Sequence, residues 1–109
     1  MSVRYVLAPQ AALDIVEIWR YIKEQSSLVI ADRVETAIRE KFSFLAQTPG
    51  AGHRRKDLTE ADVKFFPVYS YLIVYRPETT PLQIASILHG RRDLEQILKG
   101  CASPKLHAH

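Results

Sequence analysis

The amino-terminal part of the chain changes its hydrophobic period after a few residues. Val3, Tyr5 and Leu7 occupy alternate positions, which predicts a first strand. Pro9 is tolerated in the first turn of a helix, and apolar residues then recur at spacings of three and four. This spacing predicts a helix over residues 9–25. Its apolar positions are Ala12, Ile15, Ile18, Trp19 and Ile22.

A second helical stripe follows a short polar break. Ser26 and Ser27 supply a turn and an N-cap candidate, because a serine hydroxyl accepts hydrogen bonds from the first backbone N–H groups of a helix. The helix is expected to end before Pro49, since proline disfavours the helical conformation in the residue that precedes it. The apolar positions of this helix are Ile30, Val34, Ile38, Phe42 and Leu45.

The remaining apolar runs are short and predict strands. Residues 63–66 are β-prone, and Pro67 ends this strand or places it at a sheet edge, because proline cannot donate to a ladder. Residues 71–75 are apolar on both faces, which indicates a central strand, and residues 82–88 form the last one. The short links require antiparallel hairpins. The order β-α-α-β-β-β predicts an α+β fold, with a two-helix hairpin on one face of a mostly antiparallel sheet.

The segment after the last strand carries a weaker helical pattern. Asp93 stands three residues before Gln96, which is a capping-box variant, and Gly100 suits a helix end. A short helix over residues 94–99 is therefore expected. Residues 101–109 have no period and are expected to form a mobile tail beyond a single domain of residues 1–100.

Composition excludes several classes of protein. The chain has 109 residues, of which 47% are hydrophobic and 25% are charged, as in one ordinary globular domain. The lone Cys101 excludes an intrachain disulfide and a Cys-rich zinc module. No apolar run reaches the roughly 18 residues of a membrane span, and no signal-peptide pattern is present, so a cytoplasmic protein is expected. The histidines lack ligand spacing and no phosphate-binding loop occurs, so neither a metal nor an organic cofactor is expected.

The net charge of +3 is unevenly distributed. Residues 48–109 carry nine Lys or Arg against six Asp or Glu, whereas residues 13–47 are close to balance. The clusters are His53-Arg54-Arg55-Lys56 and Arg91-Arg92. Such clusters can bind nucleic acid or an acidic protein segment, and the alternative for the first cluster is a solvated loop.

His89 is the residue with the clearest chemical potential. It ends the last predicted strand beside Gly90, and Arg91 and Arg92 follow. A histidine that titrates near neutrality, next to cations that stabilise a phosphate, is what a metal-free ribonuclease needs. The alternative is a strand-end histidine that bonds a backbone carbonyl. Asp14 and Glu17 lie one turn apart on the first helix, where salt bridging is the simplest interpretation.

Taken in order, these segments resemble the ParE branch of the RelE/ParE toxin superfamily, whose members are also known as plasmid stabilisation proteins. The resemblance extends from about Tyr5 to Leu98. The segments that carry it are Ala12-Leu13-Asp14-Ile15 with Ile18-Trp19 and Tyr21-Ile22, then Leu45 to Gly52 with Arg55 and Leu58, then Phe66-Pro67-Val68, Tyr71 to Arg76, and Ile87 to Asp93.

The resemblance implies a bacterial type II toxin that is neutralised by a cognate antitoxin with a DNA-binding domain. ParE-like toxins are associated with inhibition of DNA gyrase, whereas RelE-like relatives cleave messenger RNA in the ribosomal A site. No Tyr or Phe follows Tyr75, which departs from the RelE pattern and favours the gyrase inhibitor, a protein that acts by binding. The alternatives are a RelE-like endoribonuclease, with His89, Arg91 and Arg92 as its catalytic candidates, and a non-toxic antitoxin-binding module.

The resemblance and the charge pattern together give two sets of site candidates. The candidates for target binding are His53, Arg54, Arg55, Lys56, His89, Arg91 and Arg92. The candidates for antitoxin contact are Trp19, Ile22 and Arg76. Neither membrane association nor sequence-specific DNA binding by this chain itself is expected.

Overall fold

The computed structural model describes residues 4–89, and within them the elements follow the predicted order. The elements are β1 (Tyr5–Leu7), α1 (Pro9–Gln25), α2 (Leu28–Gln47), a single 3-10 turn (Pro49–Ala51), β2 (Lys64–Val68), β3 (Tyr71–Arg76) and β4 (Leu82–His89). The predicted helix over 94–99 and the predicted tail over 101–109 lie outside the described residues. The α+β prediction is confirmed.

The two helices begin and end where the local sequence requires. Pro9 occupies the first turn of α1, and the hydroxyl of Ser27 accepts a hydrogen bond from the Ile30 N–H at 3.1 Å, which confirms the predicted cap. One detail of the predicted stripe on α1 is wrong. Ala11 is fully buried and Ala12 is exposed, because Ala11 lies one full turn before Ile15 and shares its face.

The described strands form one sheet in the order β1-β4-β3-β2. β1 pairs with β4 in parallel, and the other two pairings are antiparallel, which confirms a mostly antiparallel sheet. β3 is flanked on both sides, as its apolar composition predicts. Pro67 lies inside β2, which is an edge strand, so its missing N–H costs no ladder bond on the outer side.

The two faces of the sheet are covered by different structures. The helices pack on one face, where the first core forms, and residues 52–63, here called the 52–63 lobe, cover the other. The first core contains Ala11, Ile15, Ile38, Phe42, Leu45, Val68, Tyr71, Ile73, Tyr75, Leu82, Ile84 and Ile87. The second core contains Leu58, Val63, Phe65, Val74 and Leu88. Tyr71 and Tyr75 lie on one face, as predicted, and both are buried.

A bulge in β4 allows that strand to serve both cores. Val74 pairs with Ser86 and Tyr75 pairs with Ile84, so Ala85 is the additional residue. Ile84 and Ile87 consequently both enter the first core although they are three residues apart. Neither helix within residues 4–89 is long and apolar enough to cross a membrane.

Candidate functional site

The 52–63 lobe begins as a short extension of the sheet. The His53 N–H donates to the Phe65 carbonyl at 2.9 Å, and the Phe65 N–H donates to the His53 carbonyl at 2.8 Å. This pair forms an isolated antiparallel bridge on the outer edge of β2. The lobe then turns, because the N–H groups of Leu58 and Thr59 both donate to the Arg55 carbonyl. Leu58 is thereby directed into the second core.

A buried tyrosine connects β3 to the start of the lobe. The Tyr75 hydroxyl donates to the Pro49 carbonyl at 2.7 Å and accepts from the Gly52 N–H at 2.8 Å. Burial raises the pKa of Tyr75, and the hydrogen bond from Gly52 offsets part of that rise. A Cβ atom at Gly52 would lie 2.6 Å from the Tyr75 hydroxyl and 2.8 Å from the Phe65 carbonyl oxygen, so this position requires glycine.

The two arginines of the lobe are engaged by neighbouring carboxylates. Arg54 Nη1 lies 2.6 Å from Asp62 Oδ1. Arg55 donates through Nε and Nη2 to the two carboxylate oxygens of Asp57, at 3.2 and 3.0 Å. The bonds to Asp57 raise the pKa of Arg55, and the bonds from Arg55 lower the pKa of Asp57. These pairs neutralise most of the cationic charge that the sequence suggested for this segment.

The exposed cation that remains on the lobe is Lys56. Among the described residues no carboxylate lies within 4.0 Å of its ammonium group. His53 is also exposed, although its backbone is fixed by the bridge to Phe65. The predicted tetrad is therefore two structural arginines and two side chains that are open to a partner.

His89 lies on a different part of the sheet. It is the last residue of β4, it is half-buried, and it pairs with Tyr71. The two rings meet edge to face with centroids 5.4 Å apart. β3 and β2 separate β4 from His53, and three strand spacings amount to about 14 Å. The fold therefore keeps His53 apart from His89, although Leu58 of the lobe packs in the second core with Leu88. Arg91 and Arg92 lie outside the described residues.

Asp14 has a structural role that the sequence interpretation missed. Its side chain is 1% exposed, and its Oδ2 accepts a hydrogen bond from the Ile87 N–H at 2.9 Å. Its Oδ1 accepts from Gln10 Nε2 at 2.9 Å. Because β1 pairs with β4 only as far as Ile84, this carboxylate occupies the place of a neighbouring strand. The sequence interpretation did not predict this burial or these hydrogen bonds, and the available signal was an acidic residue next to Ile15 on the apolar stripe.

The three antitoxin candidates do not form one surface. Trp19 Nε1 donates to Asp32 Oδ1 at 2.8 Å, which ties α1 to α2, and Ile22 is half-buried on the same helix. The contacts of Asp14 place α1 alongside β4, with Trp19 and Ile22 toward the His89 end of the sheet. Arg76 is exposed and pairs with Gln83 at the opposite end.

The chain is a small α+β protein, with a two-helix hairpin on one face of its sheet and an irregular lobe on the other. The family model for the ParE toxin of the type II toxin-antitoxin system, parDE, matches residues 5–94. The chain therefore belongs to the ParE toxin family, as its sequence motifs predicted.

Comparison with solved structures agrees with this assignment at the level of the fold. A chain in the structure of the chromosomal ParDE TA system from P. aeruginosa is similar, with a TM-score of 0.67 and 21% identity. The alignment covers 82% of this chain and 95% of that one. A search of curated protein sequences found no match.

Proposed function

We propose that this chain is a toxin that inhibits DNA gyrase by binding to it, and that a cognate antitoxin neutralises it in the cytoplasm. The observation that carries this proposal is the ParE family match over residues 5–94, since gyrase inhibition is the activity associated with ParE-like toxins. The distribution of charged side chains supports inhibition by binding rather than by catalysis.

Cleavage of a phosphodiester requires an acid and a base at the same phosphate group. By strand spacing, the His53 backbone lies about 14 Å from β4, the strand that ends at His89, and both lobe arginines bond to carboxylates. A protein interface tolerates such a separation, because one partner typically buries about 800 Å², a patch roughly 30 Å across. Both groups of candidates fit within one interface of that size.

Antitoxin binding is proposed on the helical side of the molecule. The exposed large apolar side chains of the two helices are Leu13, Val16, Tyr21, Leu28, Val29 and Phe44. The outer edge of β2 is a poor template for an added strand, because Phe65 already bonds to His53 and Pro67 has no N–H. These features favour an amphipathic antitoxin helix over strand addition at that edge. The similar chain comes from a structure described as a toxin–antitoxin system, which is consistent with an antitoxin partner for this chain.

The test is DNA supercoiling by purified gyrase. We expect the wild-type protein to inhibit supercoiling, and the double variant Arg91→Glu with Arg92→Glu to inhibit poorly, because reversed charges repel a complementary surface. Lys56→Glu should weaken inhibition in the same direction. His89→Gln should change potency only modestly, since no proton transfer is required. Wild-type protein that leaves gyrase fully active would contradict the proposal.

The second candidate function is a RelE-like endoribonuclease, which is favoured by His89 followed closely by two arginines. In that case messenger RNA would be cut on ribosomes, and His89→Gln would slow cleavage by about 10²–10⁴-fold. Loss of A-site cleavage in that variant would replace the gyrase proposal. A protein that binds the antitoxin tightly but affects neither gyrase nor ribosomes would be a non-toxic binding module.

A further inference from the structure

We propose that Tyr75 is a positioning residue for the 52–63 lobe, and that its buried hydroxyl sets the direction in which His53 and Lys56 are presented to the target. Tyr75 does not itself contact the target, because its side chain is fully buried. The inference rests on the proposed function, since it concerns how the toxin presents its target-binding side chains.

The Tyr75 hydroxyl binds the chain at two points. It donates to the Pro49 carbonyl and accepts from the Gly52 N–H, so it fixes the first residue of the 3-10 turn and the residue that follows the turn. Tyr75 belongs to β3, which is paired on both edges and cannot shift easily. The start of the lobe is thus attached to β3, a strand that is hydrogen-bonded to a neighbouring strand on each edge.

The buried Gly52 N–H relies on the Tyr75 hydroxyl as its hydrogen-bond acceptor. Within residues 4–89 its bond partner is the Tyr75 hydroxyl, and Gly52 is buried. Removing the hydroxyl would leave a buried donor unpaired, which is more costly than the loss of an ordinary hydrogen bond. The chain around Gly52 would then move to reach water or another acceptor, and His53 follows directly.

The other contacts of the lobe orient it less strongly. The pairs Arg54–Asp62 and Arg55–Asp57 join residues of the lobe to each other, and the one ion pair that leaves the lobe within the described residues, Arg54 to Glu78, is exposed and 4.0 Å long. Leu58 and Val63 attach the lobe to the second core through apolar contacts, which are not directional. Orientation therefore depends mainly on the bridge between His53 and Phe65 and on the Tyr75 hydroxyl, with a weaker contribution from the exposed Arg54–Glu78 pair.

The test compares Tyr75→Phe with two controls. Tyr69→Phe removes a phenolic hydroxyl from an exposed tyrosine in the turn between β2 and β3, and Ile38→Val trims a fully buried side chain of the first core. Three quantities are measured for each purified variant: inhibition of gyrase, antitoxin affinity by calorimetry, and hydrogen exchange of the Gly52 and His53 amides.

We expect Tyr75→Phe to raise the half-inhibitory concentration for gyrase by about tenfold or more. Its affinity for the antitoxin should stay within about twofold of the wild type, as the helices bind that partner. The Gly52 and His53 amides should exchange faster in Tyr75→Phe and at nearly the wild-type rate in both controls. Should Tyr75→Phe fail to fold, Gly52→Ala offers a second route, since its Cβ would lie 2.6 Å from the Tyr75 hydroxyl and 2.8 Å from the Phe65 carbonyl oxygen, so it disturbs both attachments of His53. Unchanged exchange of the His53 amide in Gly52→Ala would overturn the proposal.

The proposal is overturned if Tyr75→Phe inhibits gyrase like the wild type, or if Ile38→Val loses as much potency, because stability alone would then explain the effect. Failure of the wild-type protein to inhibit gyrase would instead refute the proposed function. In that event the exchange data still decide on the positioning role. Faster exchange at Gly52 in Tyr75→Phe alone supports it, and unchanged exchange refutes it.

Discussion

The two faces of the sheet are stabilised in different ways. On the helical face, two helices of 17 and 20 residues bury a first core that holds twelve side chains among the described residues. On the opposite face, the 52–63 lobe covers a second core of five. The first core is held by many apolar contacts, whereas the lobe is held by a smaller apolar core and by a few polar contacts at its start. We therefore expect the helical face to contribute most of the free energy of unfolding, and the position of the lobe to be sensitive to single substitutions.

The largest expected effect distinguishes the two cores directly. Phe42→Ala removes a fully buried ring that packs edge to face against Tyr5 at 5.2 Å. It should lower the free energy of unfolding by about 3–5 kcal/mol and destabilise the whole domain. Leu58→Ala in the second core should cost about 2–3 kcal/mol, since Leu58 retains some exposure. Urea unfolding followed by circular dichroism measures both.

Amide hydrogen exchange shows how much of the structure is destabilised by each of the two substitutions, Phe42→Ala and Leu58→Ala. In Leu58→Ala, exchange should quicken mainly in the lobe, and in Phe42→Ala it should quicken throughout the sheet and helices. Equal acceleration everywhere in both variants would mean that the two cores unfold as one unit. The contrast between the two faces would then be wrong.

A smaller effect is expected at Asp14, which connects the helical face to β4. Asp14→Ala leaves the Ile87 N–H without its acceptor and should cost about 1–3 kcal/mol in the free energy of unfolding. Asp14→Asn retains one carbonyl oxygen and should cost clearly less. Thermal unfolding of the two variants checks this order. If Asn and Ala were equally harmful, the negative charge of Asp14 rather than its hydrogen bond to Ile87 would be the essential feature.

The smallest expected effect is a pH dependence at the attachment of the lobe. Burial raises the pKa of Tyr75, so the fold favours the neutral phenol. Its stabilisation is fully present below the ordinary tyrosine pKa of about 10 and is lost as the pH rises through the raised pKa of the folded protein. Phenolate absorbance should therefore show a tyrosine that titrates above the ordinary tyrosine pKa. Tyr75→Phe should abolish that late step, and its persistence in the variant would assign it to another residue.

The same contrast explains what the sequence could predict. The helices and strands were predictable because their apolar residues recur with the period of the element, as Ile38, Phe42 and Leu45 do on α2. The 52–63 lobe has no such period. Its position depends on Tyr75, which lies 23 residues beyond Gly52, and no local pattern connects the two.

The arrangement of the candidate site was likewise only partly predictable from the sequence. The charges of the tetrad were evident in the sequence, but the pairing of Arg54 with Asp62 requires the folded turn of the lobe. The separation of His89 from His53 follows from the order of the strands, which hairpin lengths alone do not determine for β1 and β4. Asp14 was detectable in principle, as a carboxylate on an apolar stripe.

Hydrogen exchange of the wild-type protein, measured separately with its antitoxin and with gyrase, tests most directly whether the two faces have different partners. We expect the antitoxin to slow exchange in α1 and α2, and gyrase to slow exchange within residues 52–63. Protection of the helices by both partners, with the lobe unchanged, would contradict this division and move the target-binding surface to the helical face.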